Sequence, residues 1–330
     1  MTTTVLAGGV GAARFLAGLV QVVDPASVTA VVNVGDDTEL HGLRISPDLD
    51  TITYTLAGES DEERGWGLRG ETWQAMATLG RLGPDRAWFN LGDRDLGTHL
   101  YRTGRLTEGA GLAAVTAEIA AGFGLRLRLL PATEDRLRTV VDLHPRPGVE
   151  GEAGEGGEVD FQRWFVGLGH DVAVRGVRVD GAAAARPGPG VLEALETADV
   201  IVIAPSNPIV SIDPVLAVPG VGAAVAARRE RVVAVSPIVA GRALRGPADR
   251  LLSDLGHEAS VIGVARLYAP LAGTLVVDDA DADLAGAVEV EGMACVVATT
   301  VMRTPALAAA LARTVLGAAR SAGHRRGRTS

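Results

Sequence analysis

Runs of β-branched and aliphatic residues alternate with segments of helical apolar periodicity along most of this chain. Residues 2–7 form the first run, and a glycine-rich turn and a helical pattern at residues 12–19 separate it from a second run at residues 28–34. Strand, turn, helix and strand in this order make a βαβ unit. The chain is therefore predicted to open with two parallel strands.

Two later runs, residues 200–203 and 232–235, are apolar at every position. Strands have this composition when helices cover both faces of a parallel sheet. Helical patterns recur at residues 49–56, 71–82 and 111–123. Together these patterns predict an α/β fold with an open, mostly parallel Rossmann-like sheet and helices on both of its faces.

The middle of the chain has a different pattern. Residues 126–130, 138–143 and 172–179 are predicted to be short strands without long helices between them. We predict a Rossmann-like core of residues 1–125 and 190–330, and a smaller inserted, strand-rich subdomain of residues 126–189. Glutamates and glycines at residues 149–160 predict a solvated flexible loop in this insertion, and residues 321–330 are predicted to be a disordered basic tail.

Composition narrows the classes of function. The 330 residues include 31 basic and 40 acidic side chains, the formal net charge is -9, and every basic residue is arginine. This balance argues against a general nucleic-acid binder. The lone Cys295 excludes a disulfide within the chain and is predicted to be a core residue. Apolar runs fall short of the about 20 residues that span a bilayer, and no secretory signal pattern is present, so we expect a cytoplasmic protein without membrane contact.

The glycine-rich turn Gly8-Gly9-Val10-Gly11 lies between the first strand and its helix. Glycines there let backbone N–H groups approach an anion, and Arg14 lies one turn into the helix. The turn lacks the Gly-Lys-Ser/Thr of a P-loop, and its spacing is not G-x-G-x-x-G. Phosphate binding is the favoured interpretation, and a plain tight turn is the alternative.

Four carboxylates follow the second strand: Asp36, Asp37, Asp48 and Asp50. Ligands of open α/β sheets bind beyond the carboxyl ends of the strands, and a divalent cation such as Mg²⁺ would offset the repulsion between these groups. Alternatively, Asp48 is a helix N-cap and Asp50 complements the helix dipole.

Residues 90–95, with the sequence Asn-Leu-Gly-Asp-Arg-Asp, form a third polar group, after a predicted strand at residues 88–89. They either lie at the carboxyl edge of the sheet or form a structural ion-pair and capping cluster. Ser206 and Asn207 follow the strand at residues 200–203, and Ser236 follows the strand at residues 232–235. These two proline-containing turns either border one cleft or are plain turns.

Taken together, these motifs resemble the 2-phospho-L-lactate transferase (CofD) family of coenzyme F-420 biosynthesis. The matching segments occur in family order over nearly the whole chain: residues 5–16, 32–37, 46–51, 91–95 with 98–100, 204–208 and 236–241. Ala12, often glycine or threonine in relatives, is a mild departure.

The resemblance implies a magnesium-dependent, homodimeric phospho-group transferase. Its acceptor would be Fo, a deazaflavin with a ribityl chain, and its donor a guanosine diphosphate carrying an enolpyruvyl or lactyl group on the terminal phosphate. The ribityl hydroxyl would attack that phosphorus, GMP would leave, and (dehydro) coenzyme F-420-0 would form. A GC-rich composition favours the enolpyruvyl donor of actinobacterial relatives.

On this interpretation the site residues have the following roles. Gly8, Gly9, Val10, Gly11 and Arg14 hold phosphate, and Ser206, Asn207 and Ser236 border the guanine nucleotide. Asp36, Asp37 and Asp48 supply or support Mg²⁺. Asp50, Thr51, Asn90, Asp93 and Arg94 hold Fo, and Asp36 or Asp50 takes the hydroxyl proton.

Two other functions compete. CofD-like regulators are not enzymes; they bind a nucleotide sugar, control carbon metabolism and also begin with a glycine-rich turn. The segments at residues 47–51 and 91–95 favour the transferase over this alternative. An NAD-type oxidoreductase is weakened by the glycine spacing.

Overall fold

The computed structural model describes residues 1–146 and 151–326. The strands are β1 (Thr3–Ala7), β2 (Val28–Val32), β3 (Thr38–Leu40), β4 (Leu43–Ile45), β5 (Arg128–Pro131), β6 (Arg138–Leu143), β7 (Gly157–Asp160), β8 (Val174–Asp180), β9 (Val200–Ile203), β10 (Val232–Val235), β11 (Ile238–Val239), β12 (Arg242–Ala243), β13 (Thr274–Val277) and β14 (Ala294–Val297). The helices are α1 (Gly9–Leu19), α2 (Pro47–Leu56), α3 (Gln74–Leu82), α4 (Asp95–Thr107), α5 (Leu112–Gly122), α6 (Glu152–Glu155), α7 (Val191–Thr197), α8 (Asp213–Leu216), α9 (Val221–Ala226), α10 (Ala248–Asp254), α11 (Val261–Tyr268), α12 (Ala285–Val290) and α13 (Pro305–Arg326).

Within these ranges the main sheet has seven parallel strands in the order β14-β13-β10-β9-β1-β2-β5. The chain runs outward from β1 to β2 and β5, and then returns to β9 on the other side of β1. Right-handed crossovers in opposite directions place helices on opposite faces of the sheet. This arrangement confirms the predicted fold class, and it puts a crevice at the carboxyl ends of β1 and β9, where such sheets bind ligands.

The apolar strands form the centre of the core. Every residue of β1, β2, β9 and β10 is buried. Helix α1 packs closely against α13, because a Cβ at Gly18 would lie 2.3 Å from the backbone carbonyl carbon of Ala308. Helix α2 also packs on α1, so the first turn of α1, which contains the glycine-rich residues, is held between the sheet and its neighbouring helices.

The predicted insertion contains a three-stranded antiparallel sheet in the order β7-β6-β8. Its predicted start at residue 126 is wrong, because β5 pairs with β2 and extends the main sheet to Pro131. The loop predicted at residues 149–160 is also wrong, because residues 152–155 form the short helix α6 and β7 pairs with β6. Ion pairs from Asp160 to Arg138 and from Glu158 to Arg178 offset the acidity of β7. Residues 149 and 150 of that loop lie outside the described residues.

Three further predictions concern single segments. Helix α13 continues to Arg326, so the prediction of a disordered tail is wrong for residues 321–326. Alanine and arginine have high helix propensity, which favours this extension. Residues 327–330 lie outside the described residues. The strand predicted at residues 88–89 is wrong, because they form a bend. Cys295 lies on the edge strand β14 and is half-buried. Among the helices that the structure describes, none combines the length and hydrophobicity needed to cross a bilayer.

Candidate active site

The glycine-rich turn joins β1 to α1 through a backbone that only glycine adopts easily. Gly9 has a φ of +69°, and its N–H donates a hydrogen bond of 2.8 Å to Asp48 Oδ1. A Cβ at Gly11 would lie 2.1 Å from the carbonyl oxygen of Pro205. The N–H groups of Val10 and Gly11 belong to the first helical turn, where the helix offers no acceptor. The turn can therefore present N–H groups to an anion.

The two proline-containing turns differ in what their hydroxyl groups do. Ser206 Oγ donates to the carbonyl of Gly8 at 2.8 Å and also accepts from the Gly8 N–H at 3.4 Å, which joins this turn to the glycine-rich turn across the crevice. Asn207 uses its side-chain oxygen to cap the helical turn that follows it. Ser236 Oγ hydrogen-bonds both the N–H and the carbonyl of Ile238. The nucleotide contacts of these three residues stay a prediction.

Asn33, at the end of β2, links the predicted carboxylates. Its fully buried side-chain nitrogen Nδ2 lies 3.2 Å from Asp36 Oδ2, 3.0 Å from Asp48 Oδ2 and 3.3 Å from the Val210 carbonyl. Its Oδ1 accepts from the Gly35 N–H at 2.8 Å. Asn33 lies in the motif at residues 32–37, and no site role is predicted for it from the sequence. The signal in the sequence is an asparagine at a strand end, two residues before Gly35-Asp36-Asp37.

Burial raises the free energy of the charged forms of these three aspartates. Burial and then the Asp48 carboxylate hold the pKa of Asp36 well above its usual range. Burial also raises the pKa of Asp48 to about 6 and that of Asp37 to about 8. Asp37 Oδ2 accepts from the Ser46 hydroxyl at 2.7 Å. In the described part of the chain, the Oδ1 atoms of Asp36 and Asp37 are buried without a hydrogen-bond partner. Hard oxygen donors of this kind fit Mg²⁺.

The predicted metal residues are not equally close to one another. Asp36 and Asp48 share the Asn33 amide, whereas Asp37 accepts a hydrogen bond from Ser46. Among the residues the structure describes, three other side chains have ligand atoms close enough together to bind one ion: Asp50, Asp95 and His99.

In this group of three residues, the guanidinium of Arg102 already forms a salt bridge with Asp50. Both oxygens of Asp50 accept from the guanidinium of Arg102, with Nη1 at 3.1 Å from Oδ2, and both side chains are buried. His99 lies between the two carboxylates, 3.7 Å from Asp50 and 3.4 Å from Asp95. The Tyr54 hydroxyl donates to Asp95 at 2.6 Å. The geometry therefore favours a positioning role for Asp50 over that of a free base.

The charged residues predicted on the deazaflavin side have structural contacts. Asp93 caps α3 by accepting from the N–H groups of Gln74 and Ala75, at 3.0 and 3.1 Å. Arg94 Nη2 donates to Glu59 at 2.8 Å. These contacts support the structural alternative of ion pairing and capping, and contact with Fo stays a prediction.

The remaining predicted residues are exposed or half-buried. Asn90 is exposed and Thr51 is half-buried near the start of α2. Arg14 is half-buried on α1, one turn after the glycine-rich turn. All three side chains therefore keep some access to solvent.

The sheet order and the polar groups at its switch point define a Rossmann-like α/β protein with its candidate site in that crevice. Residues 3–302 match the family described as 2-phospho-L-lactate transferase CofD, and the chain belongs to this family. This match confirms the resemblance inferred from the motifs.

Similar proteins agree with this assignment. The chain is 43% identical over 326 residues to a phosphoenolpyruvate transferase of Kitasatospora aureofaciens, covering 98% of this chain and 99% of the relative. A phosphoenolpyruvate transferase of Nocardia farcinica is 46% identical over 275 residues, covering 83% and 81%. A crystal structure of a UPF0052 family member from Bacillus halodurans has a TM-score of 0.59 and 18% identity, covering 96% and 98%, and it shows similarity of fold alone.

Proposed function

We propose that this protein transfers an enolpyruvyl-phosphate group from a guanosine diphosphate-linked donor to the ribityl hydroxyl of Fo in coenzyme F-420 biosynthesis. The observation that carries the proposal is the 43% identity to a phosphoenolpyruvate transferase over 98% of the chain. In the reaction, the ribityl oxygen forms a bond to the terminal phosphorus, and the bond from that phosphorus to GMP breaks. GMP leaves with the bonding electron pair, and the hydroxyl proton passes to an aspartate. The lactyl-linked donor is the alternative substrate.

Asp36 and Asp48, supported by Asp37, are the residues we propose to hold Mg²⁺. The proposal is supported by their burial, their raised pKa values and the unpartnered Oδ1 atom of Asp37. A bound Mg²⁺ would neutralise charge on the phosphates, which is the main requirement of phosphoryl transfer.

In its deprotonated form, Asp36 is a better proton acceptor than Asp50. Both oxygens of Asp50 are engaged by Arg102, whereas Asp36 has one buried oxygen without a partner in the described chain. We therefore assign proton transfer to Asp36, and we assign to Asp50 the positioning of α2. The glycine-rich turn and Arg14 would hold the donor phosphates, and Ser206, Asn207 and Ser236 would border the guanine.

Fo would bind on the side of Thr51, Asn90, Asp93 and Arg94. This placement follows from the family resemblance. It is compatible with the exposure of Asn90 and Arg94. Since Asp93 and Arg94 hold the segment around residues 59–75 in place, they would shape this side even without direct contact.

The decisive experiment is incubation of the protein with Fo, Mg²⁺ and each candidate donor, followed by mass spectrometry. The two expected products differ by two hydrogens, so one measurement reports both turnover and donor. Asp36→Asn should abolish the product, and the exposed Asp85→Asn should not. The absence of product with either donor, together with no change of Fo fluorescence on binding, would reject the transferase in favour of a CofD-like regulator.

A further inference from the structure

The three-stranded sheet of the insertion contacts the loop that carries Asp36. On β6, the N–H of Thr139 donates a hydrogen bond of 2.7 Å to the carbonyl of Gly35. Gln162, two residues after β7, donates from its buried side-chain amide to the carbonyl of Asp36 at 3.4 Å, across 126 positions of the chain. Asp36, Asp37, Thr139 and Gln162 are among the residues that line one cleft of about 220 Å³. The insertion therefore forms one wall of the candidate site.

Thr139 has a buried hydroxyl group that the fold leaves unpaired. Its side chain is 1% exposed, and among the described residues its Oγ1 atom has no hydrogen-bond partner. Buried hydroxyl groups in proteins are normally hydrogen-bonded, so an unpaired one calls for an explanation. A Cβ at Gly35 would lie 2.7 Å from Thr139 Oγ1. The hydroxyl therefore lies against the residue directly before Asp36.

The two carboxylate oxygens of Asp36 differ in their contacts. Asn33 Nδ2 lies 3.2 Å from Oδ2, whereas Oδ1 is buried and, within the described chain, has no hydrogen bond of normal geometry. Burial and then the Asp48 carboxylate raise the pKa of Asp36, and the Thr139 hydroxyl opposes this shift, as a donor to the charged carboxylate does. Catalytic hydrogen bonds are often long or poorly aligned without substrate and tighten in the substrate complex. Thr139 is thus placed to become the second donor to this carboxylate.

We propose that Thr139 is a positioning residue for the transfer reaction, and that its hydroxyl donates to Asp36 Oδ1 in the substrate complex. With Asn33 at one oxygen and Thr139 at the other, the plane of the carboxylate is fixed. A charged carboxylate has about four acceptor positions, so Oδ1 can accept from Thr139 and still take the ribityl proton. This inference rests on the proposed function, which assigns that proton to Asp36. It gives the insertion a part in the reaction.

The test is the turnover of Fo at saturating donor and Mg²⁺. Thr139→Val removes the hydroxyl and keeps the backbone hydrogen bond to Gly35, so kcat should fall about 10- to 100-fold. The KM for Fo should stay unchanged, because the hydroxyl acts through Asp36 and does not bind Fo. Thr139→Ser retains the hydroxyl and should keep a kcat close to that of the wild type.

Thr116→Val is the matched control. Thr116 lies on α5, is 4% exposed, and its Oγ1 atom also has no hydrogen-bond partner in the described part of the chain. The same buried hydroxyl is removed, but at a position without a contact to the Asp36 loop among those described. Turnover of Thr116→Val should equal that of the wild type. Wild-type kcat in Thr139→Val, or an equal loss of kcat in Thr116→Val, would overturn the proposal.

Thermal unfolding separates positioning from a structural role. Thr139→Val removes an unpaired buried hydroxyl, so its melting temperature should be unchanged or raised. Thr139→Ser deletes a buried methyl group, so its melting temperature should fall. We therefore expect the more stable variant to be the less active one. If kcat instead falls in parallel with the melting temperature in these two variants, the role of Thr139 is structural and the proposal fails.

The affinity for Mg²⁺ alone, measured by isothermal titration calorimetry, distinguishes failure of this inference from failure of the proposed function. If no product forms from Fo with either donor, but Thr139→Val binds Mg²⁺ several-fold more weakly than the wild type and Thr139→Ser does not, Thr139 still orients Asp36 and the transferase assignment fails. If product forms and Thr139→Val turns over like the wild type, the transferase stands and the role of Thr139 fails. Absence of product together with unchanged or undetectable Mg²⁺ binding would reject both.

Discussion

Asn33 donates a hydrogen bond of 3.0 Å to Asp48 and thereby ties the end of β2 to the first turn of α2. The same nitrogen lies 3.2 Å from Asp36. One neutral amide therefore holds two buried carboxylates that would otherwise repel each other. This bridge, together with the hydrogen bond from the Gly9 N–H to Asp48, connects three loops of the crevice.

Asn33→Asp should destabilise the metal-free protein by about 3 kcal/mol, because it puts a third carboxylate in place of a donor in a buried site. Urea unfolding in the presence of EDTA would measure the loss, and Mg²⁺ should recover part of it. Asn90→Asp is the matched control, since Asn90 is exposed and the same change there should leave the free energy of unfolding nearly constant. Equal stability of the two variants would contradict the bridging role of Asn33.

The sequence predicted the sheet because buried parallel strands are apolar throughout, as in β9 and β10. The role of Asn33 was not predictable in this way, because it depends on residues up to 177 positions away. Asp93 illustrates the same limit. Its charge and its position at a turn are typical of a ligand contact. In the fold, Asp93 instead caps α3, a helix that lies earlier in the chain, and this contact between distant residues cannot be read from local sequence. Residues 88–89 looked like a strand because aromatic side chains favour β-structure, yet the described chain gives them no strand partner.

Gly11→Ala should disrupt the glycine-rich turn. The new Cβ would lie 2.1 Å from the Pro205 carbonyl oxygen, which is backbone and cannot move away cheaply. We expect a loss of about 2 kcal/mol in stability and a loss of GDP binding. Gly104→Ala on α4 meets no atom within 4 Å and should instead stabilise the protein by about 0.5–1 kcal/mol. Chemical denaturation of both variants would measure these changes in the free energy of unfolding. Wild-type GDP affinity in Gly11→Ala would show that this turn does not hold phosphate.

Magnesium binding should strengthen as pH rises. The folded-state pKa values of Asp48, about 6, and Asp37, about 8, lie above the value of 3.8 for an unperturbed aspartate. The folded state therefore binds more protons than the unfolded state, so the metal-free protein loses stability as pH rises through these folded-state values. Mg²⁺ competes with those protons, and the melting-temperature increase that it causes should grow between pH 6 and pH 8. In Asp37→Asn, the stability of the metal-free protein should depend less on pH between pH 6 and pH 8. If this variant kept the wild-type pH profile of stability, the raised pKa of Asp37 would be refuted.

The ion pair between Asp50 and Arg102 should behave as a coupled unit. Arg102→Gln leaves a buried carboxylate without its guanidinium, and Asp50→Asn leaves the guanidinium without its carboxylate, so each should cost about 3–5 kcal/mol. The double variant should lose less stability than the sum of the two, because neither charge remains.

Measurement of turnover separates the positioning role of Asp50 from proton transfer by Asp36. Folded Asp50→Asn should retain measurable transfer to Fo, whereas Asp36→Asn should retain none, and the reverse result would make Asp50 the proton acceptor.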